Sequence, residues 1–273
     1  EKGGFLLMGT IRVAVSGACG RMGQKVCQTI LQEKDLELIA AFDLQEQGED
    51  LGFILENRPL KIIIEALTPE NLKKHEPDVM VDFTTPMVVM QNIETALKSG
   101  VRPVVGTTGI TQVDLARVSR QVEESALGGI IAPNFALGAV LMMKFAATAA
   151  RYFPQAEIIE LHHDKKIDAP SGTALKTAEM IARERQEEPA HKEELLKLPG
   201  ARGALQEEVH IHSVRLNGLI AHQEVIFGGP GQTLLIRHDS YDRSSFMPGV
   251  VLAVKNIVKL QGLVYGLENL LNL

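Results

Sequence analysis

"TIRVAVSGACGRMGQKV", residues 10–26, decides the fold. Its first half is a short β-branched run that closes on glycine, the pattern of a buried strand. Its second half opens "RMGQKVCQTILQEK", where Met22, Val26, Ile30 and Leu31 recur at helical spacing. Gly17, Gly20 and Gly23 lie between and just inside the two. Glycines where a strand turns into a helix let the backbone approach a pyrophosphate, which the free N–H groups of the helix N-terminus then hold. The spacing is Gly-x-x-Gly-x-x-Gly, and Ala18 stands where the commoner G-x-G-x-x-G has its first glycine. Cys19 reads as a small filler, and Arg21 either flanks a phosphate or is solvated. A second strand, "LELIAAFD" (36–43), ends on Asp43, 20 residues after Gly23. A carboxylate there accepts hydrogen bonds from both ribose hydroxyls of a dinucleotide. Leu44 follows it, with no adjacent cation for a 2′-phosphate, so NADH is expected ahead of NADPH.

Further along, "PDVMVDFT" (77–84) is a strand, and "PMVVMQNIETALKSG" (86–100) a helix with Pro86 near its first turn and Gly100 as its stop. "RPVVGTTG" (102–109) is strand then turn, 111–126 a helix, and "GGIIAPNF" (128–135) a strand again. The polar segment 44–60 reads as a loop. Strands alternating with helices to residue 135 mean βαβ units and a parallel, doubly wound, Rossmann-like α/β sheet. Ligands of such sheets sit outside the carboxyl ends of the strands. The turns Gly106-Thr107-Thr108 and Ala132-Pro133-Asn134-Phe135 are therefore either candidates to line a nicotinamide or ordinary connections.

After a helix over 137–151 the texture changes. "AEIIELHH" (156–163) is a strand and 174–188 a helix, and 207–243 reads as three strands joined by "NG" and "GGPGQ" turns. Short turns predict antiparallel pairing, hence an α+β region with a mixed or antiparallel sheet. A helix over 246–260 is expected to return to the first domain. The expected division is residues 1–133 with 245–273 for the dinucleotide and 134–244 for substrate and oligomerisation.

Between strand and helix lies "ELHHDKKIDAPSGTA" (160–174). Ser171 can cap the helix, and the N–H groups around Gly172 and Thr173 then form an anion site. Lys166 and the imidazoles stand before it and suit proton transfer beside a carboxylate-bearing substrate. A serine nucleophile would need an elbow that "APSGT" lacks. His162 and His163 with His210 and His212 are weighed as a metal set, but cysteine ligands are absent and adjacent strand residues diverge, so no metal is expected.

The chain has 273 residues, is 45% hydrophobic and carries a net charge of −6. Two modest domains fit that length. The acidic balance is no footprint for nucleic acid, and the longest apolar run contains Lys144 and is too short for a bilayer. Residues 1–7 read as an extension ahead of Met8, and no signal peptide is evident. Cys19 and Cys27 are the only cysteines, so a reducing cytoplasm is the default.

"EIIELHHDKKIDAPSGTA" (157–174) resembles the signature of the dihydrodipicolinate reductases, also called 4-hydroxy-tetrahydrodipicolinate reductases. "VAVSGACGRMG", "VDFTTP", "VVGTTG" and "APNFALGAVLM" are similar to that family's other segments, in the same order. The resemblance implies reduction of a small cyclic dicarboxylate by NADH or NADPH in the diaminopimelate route to lysine, by a homotetramer built through the second sheet. It implies that Gly17, Ala18, Cys19, Gly20, Arg21 and Met22 hold the pyrophosphate and Asp43 the ribose. Gly106, Thr107, Thr108, Ala132, Pro133, Asn134 and Phe135 would line the nicotinamide. His162 would exchange a proton, Lys166 would donate one, and His163, Gly172 and Thr173 would bind substrate. An NAD-dependent amino-acid dehydrogenase would share the glycine turn without needing the 160–174 loop. A non-catalytic NAD-sensing module would not need Lys166.

Overall fold

The computed structural model describes residues 9–187 and 195–271. The extension expected at 1–7, and residue 188 at the expected end of the second-domain helix, lie outside them. The described chain forms two compact units, one running to Phe135 and resuming at Phe246, the other Ala136–Ser245.

In the first unit, chain order is β1 (Ile11–Ser16), α1 (Arg21–Ile30), β2 (Leu36–Phe42), α2 (Leu51–Leu55), β3 (Ile64–Glu65), α3 (Pro69–His75), β4 (Val79–Asp82), α4 (Val89–Lys98), β5 (Arg102–Val105), α5 (Gln112–Ser125) and β6 (Gly128–Ile131). The second unit contributes α6 (Leu137–Ala150), β7 (Gln155–His162), α7 (Gly172–Glu184), β8 (Ala204–Gln206), β9 (Val209–Arg215), β10 (Ala221–Gly229) and β11 (Gln232–Ser240). The chain then returns to the first unit with α8 (Met247–Ile257) and β12 (Gly262–Tyr265).

The first sheet is wholly parallel, in the order β12-β6-β5-β4-β1-β2-β3. The order reverses at β1, which pairs with β2 on one side and β4 on the other. That is the topological switch point, where ligands of open α/β sheets collect. Its strands read as near-continuous apolar runs because helices cover both faces. Ala14, Ala40, Phe42, Met80 and Leu72 close one cluster, and Ile93, Val105, Val118, Val122 and Ile131 another. Local signals start the helices. Thr68 caps α3 ahead of Pro69, and Thr111 and Asp114 form a reciprocal capping box on α5.

Three sequence expectations are corrected. The segment 44–60 is not all loop, since Asp50 caps the short helix α2. The same carboxylate accepts Leu60 N–H at 3.0 Å and Lys61 N–H at 2.7 Å, a tertiary clasp no local pattern announces. The helix expected over 86–100 begins at Val89, after the N-cap Val88, so Pro86 stands near its first turn without entering the helix.

The third correction concerns the second sheet, ordered β11-β10-β7-β9-β8. The strands β9 and β10 are not neighbours. The strand β7 lies between them, parallel to β9 and antiparallel to β10, so the sheet is mixed. The "NG" connection crosses the end of β7, where Leu216 N–H donates to the His162 carbonyl at 3.1 Å. One face of this sheet, with Ala156, Ile158, Ile211, Val225 and Phe227, is buried, and Gln223 reaches from it to the Thr177 hydroxyl of α7 at 2.8 Å.

Candidate active site

The first unit gathers the expected nucleotide residues at the carboxyl ends of its strands. Gly17 has φ +80°, a conformation L side chains rarely adopt. A Cβ on Gly17 would run into the Phe83 carbonyl, and one on Gly23 into the Gly17 carbonyl. Gly17 therefore lets the turn pass close to the end of β4, and Gly23 lets α1 press against the end of β1. The helix α1 has Gly20 as N-cap and no side-chain cap, so its first-turn N–H groups keep their capacity for an anion. Asp43 Oδ2 accepts Cys19 N–H at 2.9 Å and its Oδ1 accepts Gln45 N–H at 3.0 Å, which fixes the carboxylate beside the glycine turn. Burial, then the Asp43 charge, pushes the Cys19 thiol up to about 12, so it stays a protonated filler. Leu44 is 79% exposed and Arg21 is exposed.

The turns after β4 and β5 are tied to a residue that the sequence left without a role, Asp82. Asp82, fully buried at the end of β4, accepts the Thr107 hydroxyl at 2.7 Å, the Thr84 hydroxyl at 2.8 Å and Asn92 Nδ2 at 2.7 Å. Thr107 also accepts Thr84 N–H at 2.8 Å. Its hydroxyl thus ties the turn after β5 to the turn after β4. Phe135 is buried against the ring of Phe83, the same ring that a Cβ on Gly106 would strike. Ala132 is buried, and Pro133 and Thr108 are exposed.

The second unit builds its site on the end of β7 and the start of α7. Ser171 accepts Ala174 N–H at 3.2 Å through its hydroxyl, capping α7 as expected. Gly172 is exposed, with open space where a Cβ would stand. Thr173 is half-buried, and its carbonyl accepts the Thr177 hydroxyl. Lys166 Nζ is paired with Asp168. His163 is exposed and its carbonyl accepts Lys166 N–H, closing a turn. His162 Nδ1 lies 2.5 Å from Glu160 Oε2. Burial lowers the His162 pKa from its ordinary value; Glu160 opposes this, and Lys166 and Arg215 add to it. His212 instead bonds Glu157 at 2.8 Å, and His210 faces Glu157 across the β7–β9 pair, so neither joins His162. Among the described residues no three His, Cys, Asp or Glu side chains gather as a metal site requires, and no helix is long and apolar enough to cross a membrane.

Residues 11–135 match the family described as dihydrodipicolinate reductase, N-terminus, and 138–271 the family described as its C-terminus. The chain belongs to the dihydrodipicolinate reductase family. It is 52% identical to a 4-hydroxy-tetrahydrodipicolinate reductase of Desulfitobacterium hafniense, over 97% of this chain and all of that one. It is 53% identical to another from Listeria monocytogenes, over 96% of this chain and all of that one. A dipicolinate-bound dihydrodipicolinate reductase from Paenisporosarcina superposes with TM-score 0.86 at 48% identity, covering 96% of this chain and all of that one. An amine dehydrogenase from Mycobacterium smegmatis, 13% identical over 93% of this chain and 94% of that one, shares the fold at TM-score 0.69. Three residues that the reductase signature or the sheet brings to the site had no role in the sequence reading: Glu160, Asp168 and Arg215. Glu160 was open to discovery, since residues two apart on a strand share a face.

Proposed function

We propose that the chain reduces 4-hydroxy-tetrahydrodipicolinate, or the dihydrodipicolinate it forms on losing water, to tetrahydrodipicolinate with a nicotinamide dinucleotide. One observation carries the reading. A single buried carboxylate, Glu160, touches both the His162 ring and the backbone N–H of Ser171 at the N-cap of α7. A proton-exchanging group and an anion-holding helix end are thereby held in one segment, in a chain 52% identical to reductases of that name. Lys166 and the N–H groups of Gly172 and Thr173 suit the two carboxylates of such a substrate. His162 suits proton delivery near neutral pH. The steep glycine turn, the uncapped α1 and Asp43 fit a dinucleotide, which when bound supplies the hydride. Asp43 followed by Leu44 favours NADH modestly over NADPH, since nothing adjacent compensates a 2′-phosphate.

The same reading includes a homotetramer. Ile226 and Leu235, paired across β10 and β11, lie on the sheet face opposite Gln223 and α7, and Leu235 is 54% exposed. Sedimentation would test that part. The activity is tested by the loss of NADH absorbance when the product of dihydrodipicolinate synthase is added, with oxo and imino acids as controls. Turnover confined to the controls would favour an amino-acid dehydrogenase, and NADH binding without any turnover a sensing module.

A further inference from the structure

Glu160 is wholly buried, on the strand face that carries Ala156 and Ile158. A carboxylate taken out of water this completely must be paired or give up its charge. Arg215 of β9 supplies the pair in the two-pronged geometry that suits guanidinium best, Nη1 to Oε2 at 2.8 Å and Nη2 to Oε1 at 2.7 Å. Ser171 N–H adds a third donor at 3.2 Å. Burial pushes the Glu160 carboxyl up, and the hydrogen bonds from Arg215, Ser213 and His162 outweigh it and hold it below the ordinary range. The group is therefore an anion and only accepts hydrogen bonds. Arg215 is anchored in turn by the carbonyls of Val214 and Asp168.

Against such an acceptor, the near nitrogen of His162 must carry hydrogen. Nδ1–H donates to Glu160, and in the neutral ring Nε2 keeps the lone pair. The charged groups around the imidazole are few. Glu160 lies on its own strand, Arg215 on β9, and Lys166 with its partner Asp168 on the following loop, next to exposed His163. Its partner on β10 is the uncharged Ala221.

We propose that Glu160, clamped by Arg215, is the positioning residue that fixes His162 as the Nδ1–H tautomer and presents Nε2 for proton exchange with substrate. This rests on the reductase reading above, with His162 as the proton carrier. The direct test is ¹⁵N NMR of the His162 imidazole, assigned by its loss in His162→Ala. The parent shows a protonated Nδ1 in the neutral ring; a predominant Nε2–H tautomer overturns the proposal and needs no variant to be seen. Glu160→Gln keeps the shape and removes the charge. In it the tautomers mix, the His162 midpoint falls, and kcat drops by about 10- to 100-fold, up to the lower end of a general acid's contribution of about 10²–10⁴, while substrate KM and NADH affinity stay within about threefold. The limb of the kcat/KM profile that falls with rising pH moves to lower pH with the NMR midpoint. A folded Glu160→Gln with parental kcat, pH profile and tautomer overturns the proposal. A parent that holds the Nδ1–H tautomer yet reduces no substrate leaves Glu160 in place and overturns the reductase reading instead.

Discussion

Lys166 Nζ lies 2.7 Å from each carboxylate oxygen of Asp168, two residues further along the same loop. The cation expected to meet a substrate carboxylate is thus already holding one. Lys166 holds the Asp168 carboxyl below its ordinary range. Asp168 is more than half exposed, so the pair is worth only about 0.2–1 kcal/mol. A dianionic ligand displaces it at that cost. Asp168→Asn is expected to bind dipicolinate about two- to fivefold more tightly, measured by calorimetry. Weaker binding in the variant would mean that Asp168 steers Lys166 rather than competing for it.

Lys166→Ala and His162→Ala are each expected to lower turnover by about 10²-fold or more, since positioned proton donors contribute on the order of 10²–10⁴. Both lie in the Ala136–Ser245 unit, whereas the glycine turn lies in the other. NADH affinity should therefore survive in both. Steady-state rates beside an NADH titration check this, and near-parental turnover in both would remove them from the chemistry.

The surroundings of His162 set a pH dependence. Burial disfavours the imidazolium, and Lys166 and Arg215 disfavour it further, against the opposing pull of Glu160. The ring in the free protein should titrate below the ordinary 6.5. Lys166→Ala removes a neighbouring cation and should raise that midpoint, the opposite direction to Glu160→Gln. With His162 as the proposed proton donor, kcat/KM should fall as pH rises through the midpoint. An imidazole titration by NMR in parent and variant shows whether the two shifts have opposite signs.

Much of this was legible because the chemistry is local. Gly17, Gly20 and Gly23 sit where β1 meets α1, and strands alternating with helices dictate a parallel sheet. Ser171 caps the helix its position announces. What stayed hidden depends on partners distant in sequence. Arg215 reaches Glu160 across 55 residues, and the insertion of β7 between β9 and β10 overrides the hairpin reading of "NG". The helix α2 exists because Asp50 clasps Leu60 and Lys61, not because its five residues favour a helix. Asp82 was hidden differently: it looked like the end of a strand, and only burial shows that it spends the Thr107 hydroxyl.

Two glycines should part company on substitution. In Gly23→Ala the new methyl meets the Gly17 carbonyl, so α1 must back away from β1. Overpacking of that kind costs about 1–3 kcal/mol, and dinucleotide affinity should fall with it. Gly172→Ala places its methyl in open space in the first turn of α7. Its melting temperature should hold or rise slightly, because alanine has less chain entropy to lose, while substrate KM rises as the methyl crowds the helix end. Thermal melts with NADH and substrate titrations separate the two. A Gly172→Ala protein with parental KM would take that helix end out of substrate binding.

Cofactor choice tests the other end of the first unit. Asp43 is held in place by Cys19 N–H and Gln45 N–H, so its carboxylate cannot swing far from the ribose position. A carboxylate held there would accept from ribose hydroxyls and repel a phosphate attached to them. Leu44, largely exposed beside it, offers nothing to offset that repulsion. Arg21, exposed at the start of α1, can lean toward the phosphate, so the preference is expected to be modest. The parent should favour NADH by about tenfold in kcat/KM, a difference of about 1.4 kcal/mol. Leu44→Arg supplies the missing cation on an exposed position and should raise NADPH efficiency with little loss for NADH. Measuring kcat/KM for both cofactors on both proteins decides it. A parent that already prefers NADPH would show that Arg21, not the Asp43–Leu44 pair, governs the site.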